Sequence, residues 1–338
     1  MHIEENRSLK QLNSFGFDIN ARYFVEVKSE NQLREALHWA RDNSISVFVL
    51  GGGSNIVFTR DVSGLVIHIA IAHYNTSTTS KRQVEVRVGA GVVWHELVSR
   101  TLSEGYFGLE NLALIPGYAG AAPIQNIGAY GTEVSDVLVS VEAIDRISGE
   151  KRILSGKECE FSYRHSIFKA VAGAQLIVTA VTFRLSLDDK PVVKYYALQD
   201  AIEASNITAV SATDIFNLVC DIRRKKLPDP DLLGNAGSFF KNPVIDRQQL
   251  DAISRQYSDV PSFPQEDGRF KVPAAWLIDR AGWKGYRNTH VGVHDKQALV
   301  LINHNDGSGQ QIAQLADEIK SDIQNRFNIC LEREPVLY

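Results

Sequence analysis

The sequence predicts an α+β protein. Short apolar runs of strand period, amphipathic runs of helical period, and glycine-rich, weakly charged connections beside the strands carry that reading. The 338 residues are 44% hydrophobic with a formal net charge of −4. Such a chain can bury sizeable cores. Its charge argues against nucleic acid or a membrane surface as the main partner.

Residues 23–27 alternate as a strand, and residues 31–43 place Leu33, Ala36, Leu37 and Ala40 on one helical face. Residues 47–50 form an apolar strand that runs into Gly51, Gly52, Gly53, Ser54 and Asn55, and residues 56–58 and 64–69 are strand-like. The first unit therefore reads β-α-β-β and ends near residue 70. Beyond the short polar run 75–80, residues 84–88 read as a strand, Gly89-Ala-Gly91 as a break and residues 93–104 as a helix. Residues 111–131 are rich in Gly, Ala and Pro and nearly free of charge, which predicts a connection packed against something. Residues 137–145, 160–163 and 175–185 read as strands. Residues 213–225 read as a helix with Ile215, Leu218, Val219 and Ile222 on one face. Pro228-Asp-Pro230 marks a boundary. Beyond it come a serine-bearing loop, a helix after Pro273, a strand at 298–302 and a helix at 309–327.

Cys159, Cys220 and Cys330 lie far apart, without metal-ligand spacing, and are expected to be buried free thiols in a reducing compartment. No metal is expected. The N-terminus lacks the basic-then-apolar pattern of a signal peptide, and no apolar run is long enough to span a bilayer, so the expected location is cytoplasmic.

Several segments suit chemistry. Gly51–Asn55 follows a strand but fails the dinucleotide fingerprint, because its spacing is wrong and a strand follows it. It reads either as a strand-connecting turn or as a nest of backbone amides for an anion. Together with residues 89–91 and 116–131 it makes three glycine-rich loops beside strands, a surface suited to a cofactor with a pyrophosphate and two flat rings. Residues 234–243, Gly-Asn-Ala-Gly-Ser-Phe-Phe-Lys-Asn-Pro, set Ser238 between glycines and two aromatics that could exclude water, with Lys241 and Asn242 close behind. That setting suits a hydroxyl that moves a proton; a plain turn is the alternative. Arg223-Arg-Lys-Lys226 is either a helix end favouring the dipole or an anion site. His95 lies in a predicted helix and reads as a surface or core histidine.

These motifs, with residues 50–57, 108–117, 123–131, 163–169 and 226–230, closely resemble the UDP-N-acetylenolpyruvoylglucosamine reductases, in that family's order and over nearly the whole chain. The resemblance implies an FAD-binding p-cresol methylhydroxylase-type fold in two subdomains, 1–70 (with 329–338 as a candidate addition) and 71–225. A C-terminal α+β substrate domain, 226–328, would follow. It implies NADPH as reductant and reduction of the enolpyruvyl ether of a UDP-sugar to a lactyl ether in peptidoglycan precursor synthesis, with no obligate protein partner. Ser238 matches the proton donor, Arg164 the arginine that holds the substrate carboxylate, and Glu334 the acidic catalytic residue. Tyr163, Tyr195, Lys226, Asn242, Lys284 and Gln297 match substrate-side positions. Gly51, Gly52, Gly53, Ser54, Asn55, Ile115, Pro116, Ala121, Ala122, Gln125, Asn126, Gly128, Ala129 and Tyr130 match the cofactor side. Two departures stand out. Ala121-Ala122 replaces an expected pair of serines, which puts FAD affinity in question. The chain also ends four residues after Glu334, which puts the anchoring of that residue in question. The alternatives are another FAD-dependent oxidoreductase of this fold and a non-catalytic nucleotide-sugar-binding protein.

Overall fold

In the computed structural model, residues 1–205 and 207–338 are described. They divide into two units: Met1–Arg7, Ala21–Gly52 and Val62–Arg223 in the first, Ser8–Asn20, Gly53–Asp61 and Arg224–Tyr338 in the second. The boundary expected near residue 70 falls inside the first unit, and residues 329–338 belong to the second.

Two sheets organise the first unit. In one, the strands Glu4–Ser8, Asn20–Val27, Val62–Ile69 and Val47–Leu50 lie side by side in that order, with Val62–Ile69 parallel to both Asn20–Val27 and Val47–Leu50. Helix Glu30–Asp42 forms the crossover from Asn20–Val27 to Val47–Leu50, the two strands that flank Val62–Ile69. Ser29 caps this helix by accepting from the Gln32 amide, and its buried face is Leu33, Ala36, Leu37 and Ala40, as the periodicity predicts. The other sheet is antiparallel, in the order Lys151–Ser155, Leu138–Asp145, Leu176–Ser186, Gln83–Gly89, Tyr74–Ser80. Its last strand contains the polar run 75–80. All its residues after Tyr74 are exposed, so pairing to one neighbour, not burial, makes it a strand. A polar edge also discourages further pairing.

Residues 160–163, expected as a strand, form a turn instead. Glu160 and Arg164 have φ of 49° and 55°, and Ser162 bridges only to His165. Alternating apolar residues are not enough where the backbone must reverse within four residues. Helices Tyr196–Ala204 and Arg247–Gln256 are present in addition to the expected elements.

The second unit packs around Phe15, Phe17, Phe239, Phe240 and the apolar face of helix Gly309–Phe327. That helix has the predicted bounds. A reciprocal capping box between Ser308 and Gln311 starts it, and Asn328 in the left-handed conformation ends it. One of its sheets runs Gly234–Ser238, Val300–Asn303, Val291–Val293. Cys159 and Cys220 are buried, but Cys330 is exposed, against expectation. Burial pushes the Cys159 thiol up to about 12, which suppresses its thiolate. Among the described residues no helix is long and apolar enough to cross a membrane, and no His/Cys/Asp/Glu cluster could hold a metal ion.

Candidate active site

The segment bearing Ser238 is a strand, not a loop. Gly234–Ser238 pairs antiparallel with Val300–Asn303, and Ser238 lies opposite Val300. The register shifts between Asn235 and Ser238. At the shift Gly237 takes φ of +66°, and its amide donates to the Asn235 side-chain oxygen at 2.9 Å. Glycine is the residue that takes this conformation without strain. Beyond this bulge Ser238 is exposed, while Phe239 and Phe240 are 0% and 1% exposed within the core. The two aromatics therefore do not wall off the hydroxyl, as the sequence suggested. They fasten the backbone beneath it, edge to face with each other at 5.3 Å.

Glu334 is held beside this strand. Phe240 and Arg333 form an antiparallel bridge, the Glu334 amide donates to the Phe239 carbonyl at 2.9 Å, and the Lys241 amide donates to the Glu332 carbonyl at 2.9 Å. The chain end is fixed as well. Strand Val336–Leu337 pairs parallel with Ile56–Val57, the Val336 amide donates to the Asn55 carbonyl, and the Asn55 side chain donates to the Glu334 carbonyl at 3.4 Å. The two-residue strand that follows Glu334 thus ties its backbone to residues 55–57.

Other substrate-side candidates in this unit have partners of their own. The Asn242 side-chain oxygen accepts from the Ala274 amide at 2.9 Å, at the start of helix Ala274–Arg280. Gln297 lies in the turn between Val291–Val293 and Val300–Asn303, where its carbonyl accepts from the amide of Val300, the partner of Ser238. Lys284 pairs with Asp279 at 3.2 Å, and Lys226 ends helix Ala212–Lys226 as an exposed side chain.

In the first unit, Arg164 sits in the tight turn and reaches the glycine-rich segment. It donates to the Gly128 carbonyl at 2.8 Å and lies 5.2 Å from the Tyr163 ring centroid. Its backbone takes a positive φ of 55°. Tyr130 and Tyr195 meet edge to face at 5.4 Å. Burial raises the Tyr130 phenol above its ordinary value, with the Arg223 guanidinium opposing. Arg223 also donates to the Leu114 carbonyl at 3.2 Å. The basic run is therefore divided: Arg223 folds onto the apolar segment, while Arg224, Lys225 and Lys226 stay exposed. Sequence reading missed the Arg223–Tyr130 pairing, because the two residues are linked only by the fold. His95 accepts from the Leu114 amide at 3.0 Å and stacks on Phe216 at 5.5 Å, a structural histidine.

The glycine loops pack on other backbone. A Cβ on Gly91 would lie 2.6–2.7 Å from backbone atoms of Ala70 and Ile71, and one on Gly52 would lie 3.0 Å from Gly117 Cα. One on Gly120 would overlap Ala90. These glycines let the loops pack closely on other backbone. Gly51 differs: its Cβ would meet nothing nearer than Tyr118 at 3.9 Å, which leaves an open face. Asn126 is pinned, donating to Glu133 at 2.7 Å and accepting from the Ser135 amide at 3.1 Å. Ala121 is exposed and Ala122 is buried; Ser54, Ile115, Gln125 and Ala129 are half-buried and Pro116 is exposed.

Residues 21–154 match the FAD binding domain family, and residues 229–338 match the UDP-N-acetylenolpyruvoylglucosamine reductase C-terminal domain. The UDP-N-acetylenolpyruvoylglucosamine reductase of Pseudomonas putida is 46% identical over 335 residues, 99% of this chain and 98% of that one. The chain belongs to the UDP-N-acetylenolpyruvoylglucosamine reductase family. The Pseudomonas aeruginosa reductase is 44% identical over 338 residues, covering 100% of this chain and 99% of its own. The crystal structure of the Thermus caldophilus reductase superposes with a TM-score of 0.70 at 22% identity, covering 100% of this chain and 99% of that chain. A 6-hydroxy-D-nicotine oxidase from Arthrobacter nicotinovorans superposes at 0.53 with 12% identity, covering 97% and 86% of the two chains, a likeness of fold. In this family setting the first unit fits an FAD. The open face of Gly51 and the half-buried residues Tyr118 and Ala129 offer backbone and flat apolar surface.

Proposed function

We propose that this chain catalyses the NADPH-dependent reduction of UDP-N-acetylglucosamine enolpyruvate to UDP-N-acetylmuramate, using FAD, in peptidoglycan precursor synthesis. Bound flavin supplies hydride transfer, from NADPH and on to C3 of the enolpyruvyl group. The two sheets of the first unit serve as two flavin-binding subdomains, divided near residue 70, and residues 226–328 serve the substrate. Ser238 gives its proton to C2. Its hydroxyl is a weak acid, so it acts only against the strongly basic carbon left by hydride addition. Arg164 binds the substrate carboxylate and favours the enolate-like charge. Glu334 orients these groups at the carboxylate. Tyr163, Tyr195, Lys226, Asn242, Lys284 and Gln297 hold the sugar and diphosphate. Gly51–Asn55, Ile115–Pro116, Ala121–Ala122 and the Gln125–Tyr130 segment hold the flavin.

The observation that supports this reading best is the register that sets Glu334 against the Ser238 strand, with the Glu334 amide 2.9 Å from the Phe239 carbonyl. The test is anaerobic. NADPH should bleach the bound flavin, and the UDP-sugar enolpyruvate should restore its colour without oxygen. Flavin that NADPH reduces but the enolpyruvate leaves bleached would overturn the substrate assignment.

A further inference from the structure

Arg164, assigned to the substrate carboxylate, is held by main chain, and that main chain is held in turn by Asn126 and Glu133. Arg164 donates from Nη2 to the Gly128 carbonyl at 2.8 Å and from Nη1 to the Asn126 carbonyl at 3.5 Å. Two bonds to fixed carbonyls set the plane of a guanidinium. Gly128 lies opposite Glu133 where Gly128–Ala129 pairs antiparallel with Thr132–Glu133. A Cβ on Gly128 would come within 2.9 Å of Glu133 Cγ and 3.2 Å of Arg164 Nη1. The acidic side chain and the guanidinium therefore close on the same glycine.

Asn126 joins these parts. It is 1% exposed and takes φ of 47°. Its Nδ2 donates to Glu133 Oε2 at 2.7 Å and to the Ser162 carbonyl at 3.3 Å, and its Oδ1 accepts from the Ser135 amide at 3.1 Å. Ser162 lies two residues before Arg164, in the turn closed by the bridge to His165. One buried amide thus fastens the segment that Arg164 grips to the turn that carries Arg164. The shortest of its bonds goes to the half-buried Glu133. A carboxylate acceptor makes a stronger hydrogen bond than a neutral one. Without it a buried N–H of Asn126 loses its partner, which is costly. Movement of the segment relieves that cost and carries the two carbonyls with it.

We infer that Glu133 is a positioning residue that acts through Asn126 and Gly128 to set the Arg164 guanidinium for the substrate carboxylate. This rests on the reading that Arg164 binds that carboxylate. Glu133 itself takes no part in the chemistry.

The test compares two ligands on full-length, flavin-loaded, oxidised protein. One is the UDP-sugar enolpyruvate; the other is UDP-N-acetylglucosamine, which lacks the carboxylate. Affinities are read from flavin absorbance or heat, and the measured quantity is their ratio. Glu133→Ala should weaken the enolpyruvate about tenfold relative to UDP-N-acetylglucosamine, the value of one buried hydrogen bond to a misplaced group. Glu133→Gln keeps an acceptor and should recover most of the loss. Glu133→Asp is one methylene shorter and should fall between alanine and wild type, and it supplies the reading where alanine does not fold. In an Arg164→Ala background, Glu133→Ala should change the ratio no further, because its effect passes through that arginine. Equal weakening of both ligands overturns the inference. So does a ratio unchanged in both Glu133→Ala and Glu133→Asp, a loss that glutamine does not recover, or an undiminished effect without Arg164. Arg164→Ala with the wild-type ratio would overturn the carboxylate reading of Arg164 itself, a separate result.

Discussion

The amide of Glu334 donates to the carbonyl of Phe239 at 2.9 Å, one residue from the hydroxyl of Ser238. Two residues 96 positions apart in sequence, Ser238 and Glu334, are thereby carried on neighbouring backbone segments. The relation is one of main chain to main chain, so side-chain substitution at either position should leave it standing. That makes the chemical roles of the two residues separable from their structural support.

Ser238→Ala should therefore leave reduction of the flavin by NADPH near the wild-type rate. Reoxidation by the enolpyruvyl substrate should slow about 10²- to 10⁴-fold, the range for loss of a positioned proton donor. Stopped-flow absorbance of the two half-reactions checks this. Equal slowing of both would mark the serine as structural.

Removal of Val336–Tyr338 takes away the strand paired with Ile56–Val57 and the hydrogen bond from Val336 to Asn55. The reoxidation half-reaction should suffer more than flavin reduction, because Glu334 loses its anchor on one side. Single-turnover rates of the shortened chain test it, and an unchanged reoxidation rate would show that the tail is dispensable.

Gly51→Ala and Gly53→Ala should differ sharply. Gly53 has φ of +63° and its Cβ would overlap the Leu12 carbonyl, so alanine there should destabilise the fold by about 3 kcal/mol or more. Gly51 has room, with Tyr118 at 3.9 Å, so alanine should leave the melting temperature of flavin-free protein unchanged and weaken FAD. Thermal unfolding paired with flavin titration distinguishes the two outcomes.

Glu142 sets an acid limit. Its carboxylate is 9% exposed and meets the Arg87 guanidinium and, at 2.6 Å, the Lys151 ammonium. Lys151 also pairs with Glu30, at the start of the crossover helix, at 2.8 Å. The Arg87 hydrogen bond, then Lys151, lower the Glu142 carboxyl from 4.5 to about 2 against the cost of burial. A carboxyl lowered on folding stabilises the fold above its unfolded value, and that contribution is lost as pH falls through the folded one. The difference corresponds to about 3 kcal/mol at about 1.4 kcal/mol per pH unit. Glu142→Gln should cost about that much at pH 7, and the gap to wild type should close as pH falls from about 4.5 to about 2. Denaturant melts across that range measure it.

Periodic segments were the legible part of the fold. The buried face of Glu30–Asp42 and the bounds of Gly309–Phe327 follow from apolar spacing, because one buried stripe selects one helical register. Tyr74–Ser80 did not show itself, since its strand state comes from a neighbour's hydrogen bonds and not from its own side chains. Residues 160–163 misled for the converse reason: they alternate, but they close a turn. The site divided in the same way. Ser238, Arg164 and Glu334 stood out through the motifs around them, whereas the Arg223–Tyr130 pair carries no local signature.

By itself the sequence determined the residue types at the site, the periodic elements and the family to which those motifs point, because these are encoded over a few neighbouring positions. The tertiary structure alone decided that Phe239 and Phe240 are anchors beneath Ser238 and not its walls, that the terminal strand secures Glu334, and that most loop glycines serve contacts with other backbone. Each of those depends on which distant segment arrives to pack or pair, and a local pattern does not specify the arrival.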